Sequence, residues 1–176
     1  ATEWVCPENC PDLKEHKYIA IDLETRDPNL KSRGSGALIN EGEIIGIAVA
    51  VEGWSGYFPI AHREGNLPKQ KVLDWLQEIC LLPSTKIFHN AMYDMCWLRA
   101  YNIKVNGHII DTMVMSALVD ENRYSYSLNS LCYDYLGEVK DESLLTTAAE
   151  KAGADPKAEM YKLPAMYVGN YAEKDA

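Results

Sequence analysis

Apolar residues follow one another in short continuous runs at five places along the chain, which predicts five β-strands. These runs are rich in β-branched residues, and they cover residues 18–25 (YIAIDLET), 43–53 (EIIGIAVAVEG), 56–62 (GYFPIAH), 86–90 (KIFHN) and 108–111 (HIID). The second and third runs are separated by Gly53 to Gly56, and this spacing predicts a hairpin turn. The first three strands therefore follow one another before any long helix.

Farther along the chain, apolar residues recur at helical spacing, which predicts six helices. They cover residues 68–81, 91–101, 112–119, 125–137, 142–153 and a segment that begins after Pro164. Pro68 suits the first turn of the first helix, and Asp111 or Thr112 suits the N-cap of the third, where Asp111 is more simply a cap than a metal ligand. Gly137 and Gly153 suit helix ends. This order of elements predicts an α/β fold, a mixed β-sheet with helices packed on its faces.

The chain divides into a short leader and one domain. Residues 1–17 are polar, contain two prolines and predict an extended N-terminal leader, whereas residues 18–176 are long enough for one domain with its own core. Residues 27–36 (DPNLKSRGSG) are rich in Pro, Gly and Ser and predict a loop. Cys6 and Cys10 form an isolated C-x3-C pair without a second half, so the pattern does not favour a zinc site.

The overall charge is unfavourable for a protein that binds nucleic acid on its own. The formal net charge is −9 at pH 7, whereas phosphate neutralisation by Lys and Arg supplies most of the affinity of a typical nucleic-acid binder. An acidic chain of this kind must bind weakly, bind through metal ions or rely on a partner domain. No apolar run approaches the roughly 18 residues of a membrane span, and the leader lacks the pattern of a signal peptide, so we expect a cytoplasmic protein with no membrane partner.

Acidic residues occupy two positions of the first predicted strand and one position at the start of a predicted helix. Asp22 and Glu24 are two residues apart, so their side chains share one face of the strand. A D-x-E triplet arises easily by chance in so acidic a sequence, and it decides nothing alone. Asp94 falls in the first turn of the helix that follows Asn90, where the helix dipole favours a carboxylate. Taken alone, an ordinary helix start with Asn90 as the N-cap is the simpler explanation.

A third motif, YAEKD, places Tyr171 and Asp175 four residues apart on one face of a predicted helix. Alone it is typical of a solvated charged helix, but the three motifs occur in the order that a shared site needs. D-x-E on a strand, N-x3-YD at a strand-to-helix junction and Y-x3-D on a helix resemble the DEDD exonucleases of the ribonuclease H-like fold. The resemblance is to the variant with tyrosine in the third motif.

The resemblance is closer still to the 3′–5′ exonuclease domain of family A DNA polymerases. Four segments are similar to landmarks of that domain: 56–62, 111–123 (DTMVMSALVDENR), 127–137 (SLNSLCYDYLG) and 171–176 (YAEKDA). The segment DPNLKSRGSGAL after the first motif is similar to the phage branch of these polymerases. The match covers residues 18–176, and it implies a ribonuclease H-like fold.

The resemblance also implies the residues of an active site. Asp22, Glu24 and Asp175 would hold one divalent cation, Mg²⁺ or Mn²⁺, and Asp22 would bridge to a second. Asp94 would bind that second cation largely through water. Tyr171 would orient the attacking water, since an ordinary tyrosine pKa of about 10 makes it a poor base at neutral pH.

Contacts with the substrate follow from the same resemblance. Asn90, Tyr93 and Thr25 would touch the terminal nucleotide or frame the cleft. Apart from the resemblance, the position of Lys31 and Arg33 in a flexible loop beside the first motif suits contact with the phosphate backbone.

The implied function is a metal-dependent 3′–5′ exonuclease that releases nucleoside monophosphates from single-stranded or frayed DNA 3′ ends and proofreads for a DNA polymerase. A polymerase domain would be its partner in the full-length protein. The chain would then be an exonuclease domain truncated at its C-terminus, with the last helical turn around Asp175 poorly held. Two alternatives stay open: a stand-alone ribonuclease D-like enzyme that trims RNA, and a non-catalytic domain that binds nucleic acid or scaffolds a polymerase.

Overall fold

A computed structural model of the chain describes residues 2–176 and is built on one five-stranded sheet. Its strands are β1 (Tyr18–Arg26), β2 (Glu43–Val51), β3 (Trp54–Pro59), β4 (Thr85–Phe88) and β5 (Ile109–Asp111). They lie in the order β3-β2-β1-β4-β5. The pairs β1–β2 and β2–β3 are antiparallel, and the pairs β1–β4 and β4–β5 are parallel. The prediction of a mixed sheet is confirmed.

Seven α-helices connect or cover the strands within residues 2–176. They are α1 (Leu30–Arg33), α2 (Lys69–Leu81), α3 (Ala91–Ala100), α4 (Thr112–Val119), α5 (Leu128–Leu136), α6 (Ser143–Ala152) and α7 (Ala165–Glu173), with 3₁₀ turns at Gly36–Leu38 and Met160–Lys162. All the helices predicted from periodicity are present, with ends shifted by a few residues. None of the helices in this range has the length and apolar character needed to cross a membrane.

The loop predicted over residues 27–36 is partly helical, so the prediction is wrong there. The N–H of Leu30 donates to the carbonyl of Asp27 at 3.3 Å, and the N–H of Gly36 donates to the carboxylate of Asp27 at 3.1 Å. These local bonds give the segment one helical turn, α1, which a 3₁₀ turn follows. The composition predicts irregular backbone, but it does not show that Asp27 bonds to both Leu30 and Gly36, through its backbone carbonyl and its carboxylate.

The sheet separates two hydrophobic clusters. The first lies on the side of α2 and α3 and includes Ile21 and Leu23 of β1. The second lies on the side of α6 and α7 and includes Ala48 of β2. Because successive residues of a strand point to opposite faces, Asp22 and Glu24 point to the side of the second cluster. Two carboxylates therefore interrupt an otherwise apolar layer between the sheet and α7.

The described part of the leader, residues 2–17, contains no helix or strand, but it packs on the domain. The indole N–H of Trp75 donates to the carbonyl of Pro11 at 2.8 Å. Trp4 lies flat against α7, where a Cβ atom at Gly169 would be 2.1 Å from its ring. The boundary between leader and domain at residue 18 stays a prediction, and these contacts make the leader part of the packed structure.

Candidate active site

β1 carries the two acidic residues of the first motif on the face that α7 covers. Asp22 lies opposite Ala48 of β2, and Glu24 lies opposite Gly46. The pairing of β1 with β2 shifts directly after Glu24, and an irregularity of this kind bends a strand and re-aims its side chains. A Cβ atom at Gly46 would be 1.9 Å from the hydroxyl oxygen of Tyr57, so only glycine leaves room for that side chain here.

Asp94 reaches the same strand from the first turn of α3. β4 ends at Phe88, two residues before the predicted end, because Asn90 takes a left-handed conformation with φ of 67° and starts the helix. Asp94 is only 4% exposed, and its carboxylate accepts the N–H of Leu23 at 3.0 Å. Since Leu23 stands between the two acidic residues of β1, this bond fixes the first turn of α3 beside them.

Asp111, at the end of β5, holds the N-termini of two helices. Its carboxylate accepts the N–H groups of Met113 at 3.0 Å and Val114 at 3.4 Å, so the predicted N-cap of α4 is confirmed. The same carboxylate accepts the N–H groups of Asn90 at 3.0 Å and Ala91 at 2.9 Å, at the start of α3. The residue that caps α4 therefore also positions the helix that carries the second motif.

Asp111→Ala should lower the free energy of unfolding by about 2 kcal/mol, because an N-cap contributes about 0.5–2 kcal/mol and two helices lose theirs. Urea unfolding followed by circular dichroism measures the change. Ser127→Ala is the matched control, since Ser127 caps only α5, through the N–H of Ser130. Its expected loss is about 1 kcal/mol. Equal losses in the two variants would contradict the double role of Asp111.

α7 packs on β2 and β3 and brings the third motif to β1. Tyr171 is helical, but α7 ends at Glu173, so the prediction that Tyr171 and Asp175 share one helix face is wrong. The N–H of Asp175 donates to the carbonyl of Ala172 at 3.1 Å and closes a tighter last turn. The carboxylate of Asp175 forms an ion pair with Lys140, and the two side chains are 13% and 10% exposed. Asp175 is therefore contacted by a side chain from another segment, and the expectation that its turn is poorly held stays a prediction.

The carboxylates of Asp22, Glu24 and Asp175 come together, with one oxygen atom of each lying within 4.8 Å of the others. Burial, followed by the charge of Asp175, raises the pKa of Asp22 to about 7. Burial, followed by the charges of Asp22 and Asp175, raises the pKa of Glu24 well above its ordinary value. Burial and then the charge of Asp22 raise the pKa of Asp94 to about 8. The acidic cluster is thus short of positive charge, and a set of carboxylate ligands suits a hard divalent cation.

A cleft of about 690 Å³ opens beside Glu24 and contains two of the predicted substrate residues, Thr25 and Tyr93. The hydroxyl of Tyr93 donates to the carboxylate of Asp27 at 2.9 Å. The hydroxyl oxygens of Thr25 and Tyr93 are 2.8 Å apart, and Thr25 is the donor because the proton of Tyr93 is already engaged. Burial raises the pKa of Tyr93 to about 12, so its hydroxyl stays protonated at neutral pH. The hydroxyls of Thr25 and Tyr93 thus form a polar wall of the cleft, and Asp27 fixes their orientation.

The other predicted contacts are placed differently. Asn90 is exposed at the start of α3, and its side chain forms no capping hydrogen bond. Lys31 and Lys157 line the cleft, and Lys157 also pairs with Glu142 at 3.2 Å. Arg33 is paired with Glu41. A larger cleft of about 920 Å³, between the leader and α7, contains none of the predicted site residues.

Two polar residues of this region escape prediction from the sequence. Asp27 is close to the D-x-E motif, and its nearness along the chain is a usable signal that it belongs to the same region. Lys140 lies in the connection between two helices, in a charged segment with no pattern that points to a site. Its contact with Asp175 arises only when α7 packs on the sheet.

The strand order, with acidic residues on β1, on α3 and just after α7, defines an exonuclease of the ribonuclease H-like fold. Two solved structures share this fold. Brucella melitensis NrnC with bound Mg²⁺ has a TM-score of 0.62 and 19% identity, over 94% of this chain and 70% of that one. Escherichia coli RNase D has a TM-score of 0.62 and 18% identity, over 95% of this chain and 38% of that one. At these identities the likeness shows the fold alone, and the predicted fold is confirmed.

The sequence profile of the 3′–5′ exonuclease domain of family A DNA polymerases matches residues 6–176, and the chain belongs to this family. A DNA-directed DNA polymerase of Pseudomonas phage M6 is 37% identical over 99% of this chain and 28% of its own length. DNA polymerase DpoZ of Salmonella phage PMBT28 is 29% identical over 94% of this chain and 25% of its own length. The chain thus spans about a quarter of these relatives. The predicted enzyme class, a 3′–5′ exonuclease of the phage-like branch, is confirmed.

Proposed function

We propose that this exonuclease domain releases nucleoside monophosphates from single-stranded or frayed DNA 3′ ends and proofreads for a DNA polymerase. The observation that carries the proposal is the convergence of Asp22, Glu24 and Asp175, with Asp94 bonded to the same strand. DNA is favoured over RNA because phage DNA polymerases are among the relatives, with 37% and 29% identity to this chain.

The acidic cluster fits two divalent cations. Its donors are carboxylate oxygens alone, which favour Mg²⁺ or Mn²⁺ over Zn²⁺. Asp22, Glu24 and Asp175 would hold one cation, and Asp22 and Asp94 would hold the second. When bound, such a pair polarises the scissile phosphodiester and neutralises charge on the attacking and leaving oxygens. NrnC, which shares this fold, has been solved with bound Mg²⁺.

Tyr171 acts as a donor that aims the attacking water. Burial, followed by the charge of Asp175, raises the pKa of Tyr171 well above its ordinary value, so the hydroxyl is protonated at neutral pH. A group in this state donates a hydrogen bond and does not remove a proton. Tyr171 therefore positions the water and leaves its deprotonation to the cluster.

The substrate enters the cleft beside Glu24. Thr25 and Tyr93 frame the terminal nucleotide, and their hydrogen bonds to each other and to Asp27 keep both side chains in fixed orientations. Lys31 and Lys157 supply positive charge along the cleft for the phosphate backbone. Asn90, exposed at the start of α3, contacts the same nucleotide from outside.

The exposed apolar face of α4 supports a partner domain. α4 buries none of its residues, and its exposed apolar side chains are Val114, Met115, Leu118 and Val119. Contiguous exposed apolar surface marks an interaction site. Since the relatives are roughly four times as long as this chain, the occupant of this face is the polymerase domain of the same polypeptide, which works in the host-cell cytoplasm.

A comparison of substrates tests the proposal. The chain is incubated with 5′-labelled single-stranded DNA, RNA of the same sequence, and duplexes with a matched or a mismatched 3′ end, in Mg²⁺, Mn²⁺ or EDTA. We expect shortening from the 3′ end only with a metal, faster on DNA than on RNA and faster on the mismatched end. Preference for RNA would favour a ribonuclease D-like enzyme. Binding without hydrolysis would favour a scaffold, and equal rates on both duplexes would contradict proofreading.

A further inference from the structure

A lysine from a connecting segment enters the acidic cluster. Lys140 lies between α5 and α6, and its ammonium group contacts the carboxylate of Asp175. The same nitrogen lies 3.3 Å from the centre of the Tyr171 ring, so the cation also covers the aromatic face. One side chain thus touches both residues of the third motif.

The ion pair of Lys140 differs from the pairs on the surface. Its two side chains are 10% and 13% exposed, whereas the side chains of the Lys162–Glu159 pair are 45% and 33% exposed. Taking an ammonium group out of water is costly unless nearby negative charge compensates. Here the compensation comes from several carboxylates at once. The charge of Lys140 also favours the ionised forms of Asp22 and Glu24, which places it within range of the whole cluster.

Because Asp175 lies beyond the end of α7, the orientation of its carboxylate depends on the contact with Lys140. Within residues 2–176, the N–H bond to the carbonyl of Ala172 fixes the backbone of Asp175, and α7 has ended before its carboxylate. Lys140 holds that carboxylate toward Asp22 and Glu24. Its long flexible stem and its place between two helices leave it free to withdraw without unfolding either helix.

We propose that Lys140 is an internal counter-cation of the exonuclease site: it holds Asp175 in the metal-free protein and gives up that carboxylate when a divalent cation binds. Metal binding is then an exchange of the lysine ammonium for a divalent cation. Lys140 keeps the carboxylates assembled without metal, and it lowers the affinity of the site for the metal. The inference rests on the proposed metal role of Asp175, but it does not depend on whether the substrate is DNA or RNA.

The first experiment measures metal affinity and metal-free stability. Lys140→Met keeps the length of the side chain and removes its charge, Lys140→Arg keeps the charge, and Lys162→Met is the surface control. Mn²⁺ affinity is measured by calorimetry, and thermal unfolding is measured in EDTA. We expect Lys140→Met to bind Mn²⁺ about tenfold more tightly, within the usual range of coupling between two sites, and to unfold at a lower temperature without metal. Lys162→Met should match the original chain.

The second experiment follows the amine of Lys140 in the unaltered chain. An amine-reactive reagent is applied with and without Mn²⁺ or Ca²⁺, and labelling at each lysine is quantified by mass spectrometry. We expect labelling of Lys140 to increase severalfold on addition of metal, while labelling of Lys162 stays constant. This measurement does not require any variant to fold.

The outcomes separate this inference from the proposed function. Equal or weaker Mn²⁺ affinity in a folded Lys140→Met variant, or unchanged labelling of Lys140, would overturn the exchange. If neither the original chain nor Lys140→Met binds Mn²⁺, the metal site itself fails, and the inference fails with it. If both bind Mn²⁺ equally, only the role of Lys140 is lost, and the exonuclease proposal stands.

Discussion

Asp22→Asn should lower the rate of 3′-end hydrolysis about 10³-fold, while the chain stays folded. Asp22 is the central carboxylate of the cluster, since it acts on Glu24 and on Asp94 and lies in the proposed position between two cations. A bound cation supplies several kcal/mol of transition-state stabilisation, and about 4 kcal/mol corresponds to a factor of about 10³. Asparagine keeps the shape of the side chain and removes its charge. Single-turnover hydrolysis of labelled single-stranded DNA measures the effect.

A second carboxylate provides the control for this variant. Asp12 lies in the leader, its side chain is 64% exposed, and it pairs with the neighbouring Lys14. Asp12→Asn removes the same charge from the chain and should change the rate by less than about twofold. A folded Asp22→Asn variant with more than a tenth of the original rate would show that Asp22 is not a metal ligand. A similar loss in Asp12→Asn would point to overall charge instead of the site.

The metal-free domain should become less stable as the pH rises from 6.5 to 8.5. The pKa values of Asp22 and Asp94 are raised in the folded state to about 7 and about 8, so the folded state holds protons that the unfolded state has already released. This contribution to stability is complete below the ordinary pKa and is lost as the pH rises through the folded pKa. The loss is about 1.4 kcal/mol per pH unit for each proton held.

The pH range is chosen to limit the contribution of the buried His62 to the pH dependence of stability. Burial lowers the pKa of His62 to about 4, so the stability that neutral His62 contributes is fully present above its ordinary value of about 6.5 and is lost as the pH falls toward 4. Just above pH 6.5 the slope from His62 has the opposite sign to that of the carboxylates, and it fades by about pH 7.5, where the unfolded histidine is largely neutral. Urea unfolding in EDTA should show the decline, and a variant with both Asp22→Asn and Asp94→Asn should show a smaller one, since Glu24 keeps a pKa that burial raises. Saturating Mg²⁺ should remove the decline in stability with pH, since the bound metal favours the ionised carboxylates. If the free energy of unfolding in EDTA did not change between pH 6.5 and 8.5, the raised pKa values of Asp22 and Asp94 would be contradicted.

Local geometry accounts for the parts of the site that the sequence predicts. The shared direction of Asp22 and Glu24 needs only the two-residue period of a strand. The placement of Asp94 needs only a helix start after β4, and Asp111 follows the ordinary preference for a capping carboxylate before a helix. Each of these features depends on a few neighbouring residues, and the predicted elements reproduce them.

Contacts between distant segments account for the parts that were missed. α7 ends at Glu173 and not beyond Asp175, since the pairing with Lys140 and the tighter last turn replace a further helical turn. Lys86 stands in a predicted apolar strand and is fully buried, because its ammonium group donates to the carbonyls of Ser84 at 2.9 Å and Asn106 at 2.8 Å. Neither arrangement leaves a periodic pattern in the sequence, since both depend on segments that meet only in the folded chain.

The dependence of the site on α7 also sets when activity first appears as the polypeptide is made. Asp22 and Glu24 leave the ribosome early, whereas Tyr171 and Asp175 follow only after α6. A nascent chain that has formed its sheet but has not yet docked α7 lacks one of the three clustered carboxylates and the tyrosine. The proposed site is therefore incomplete until α7 has been synthesised and has docked on the sheet.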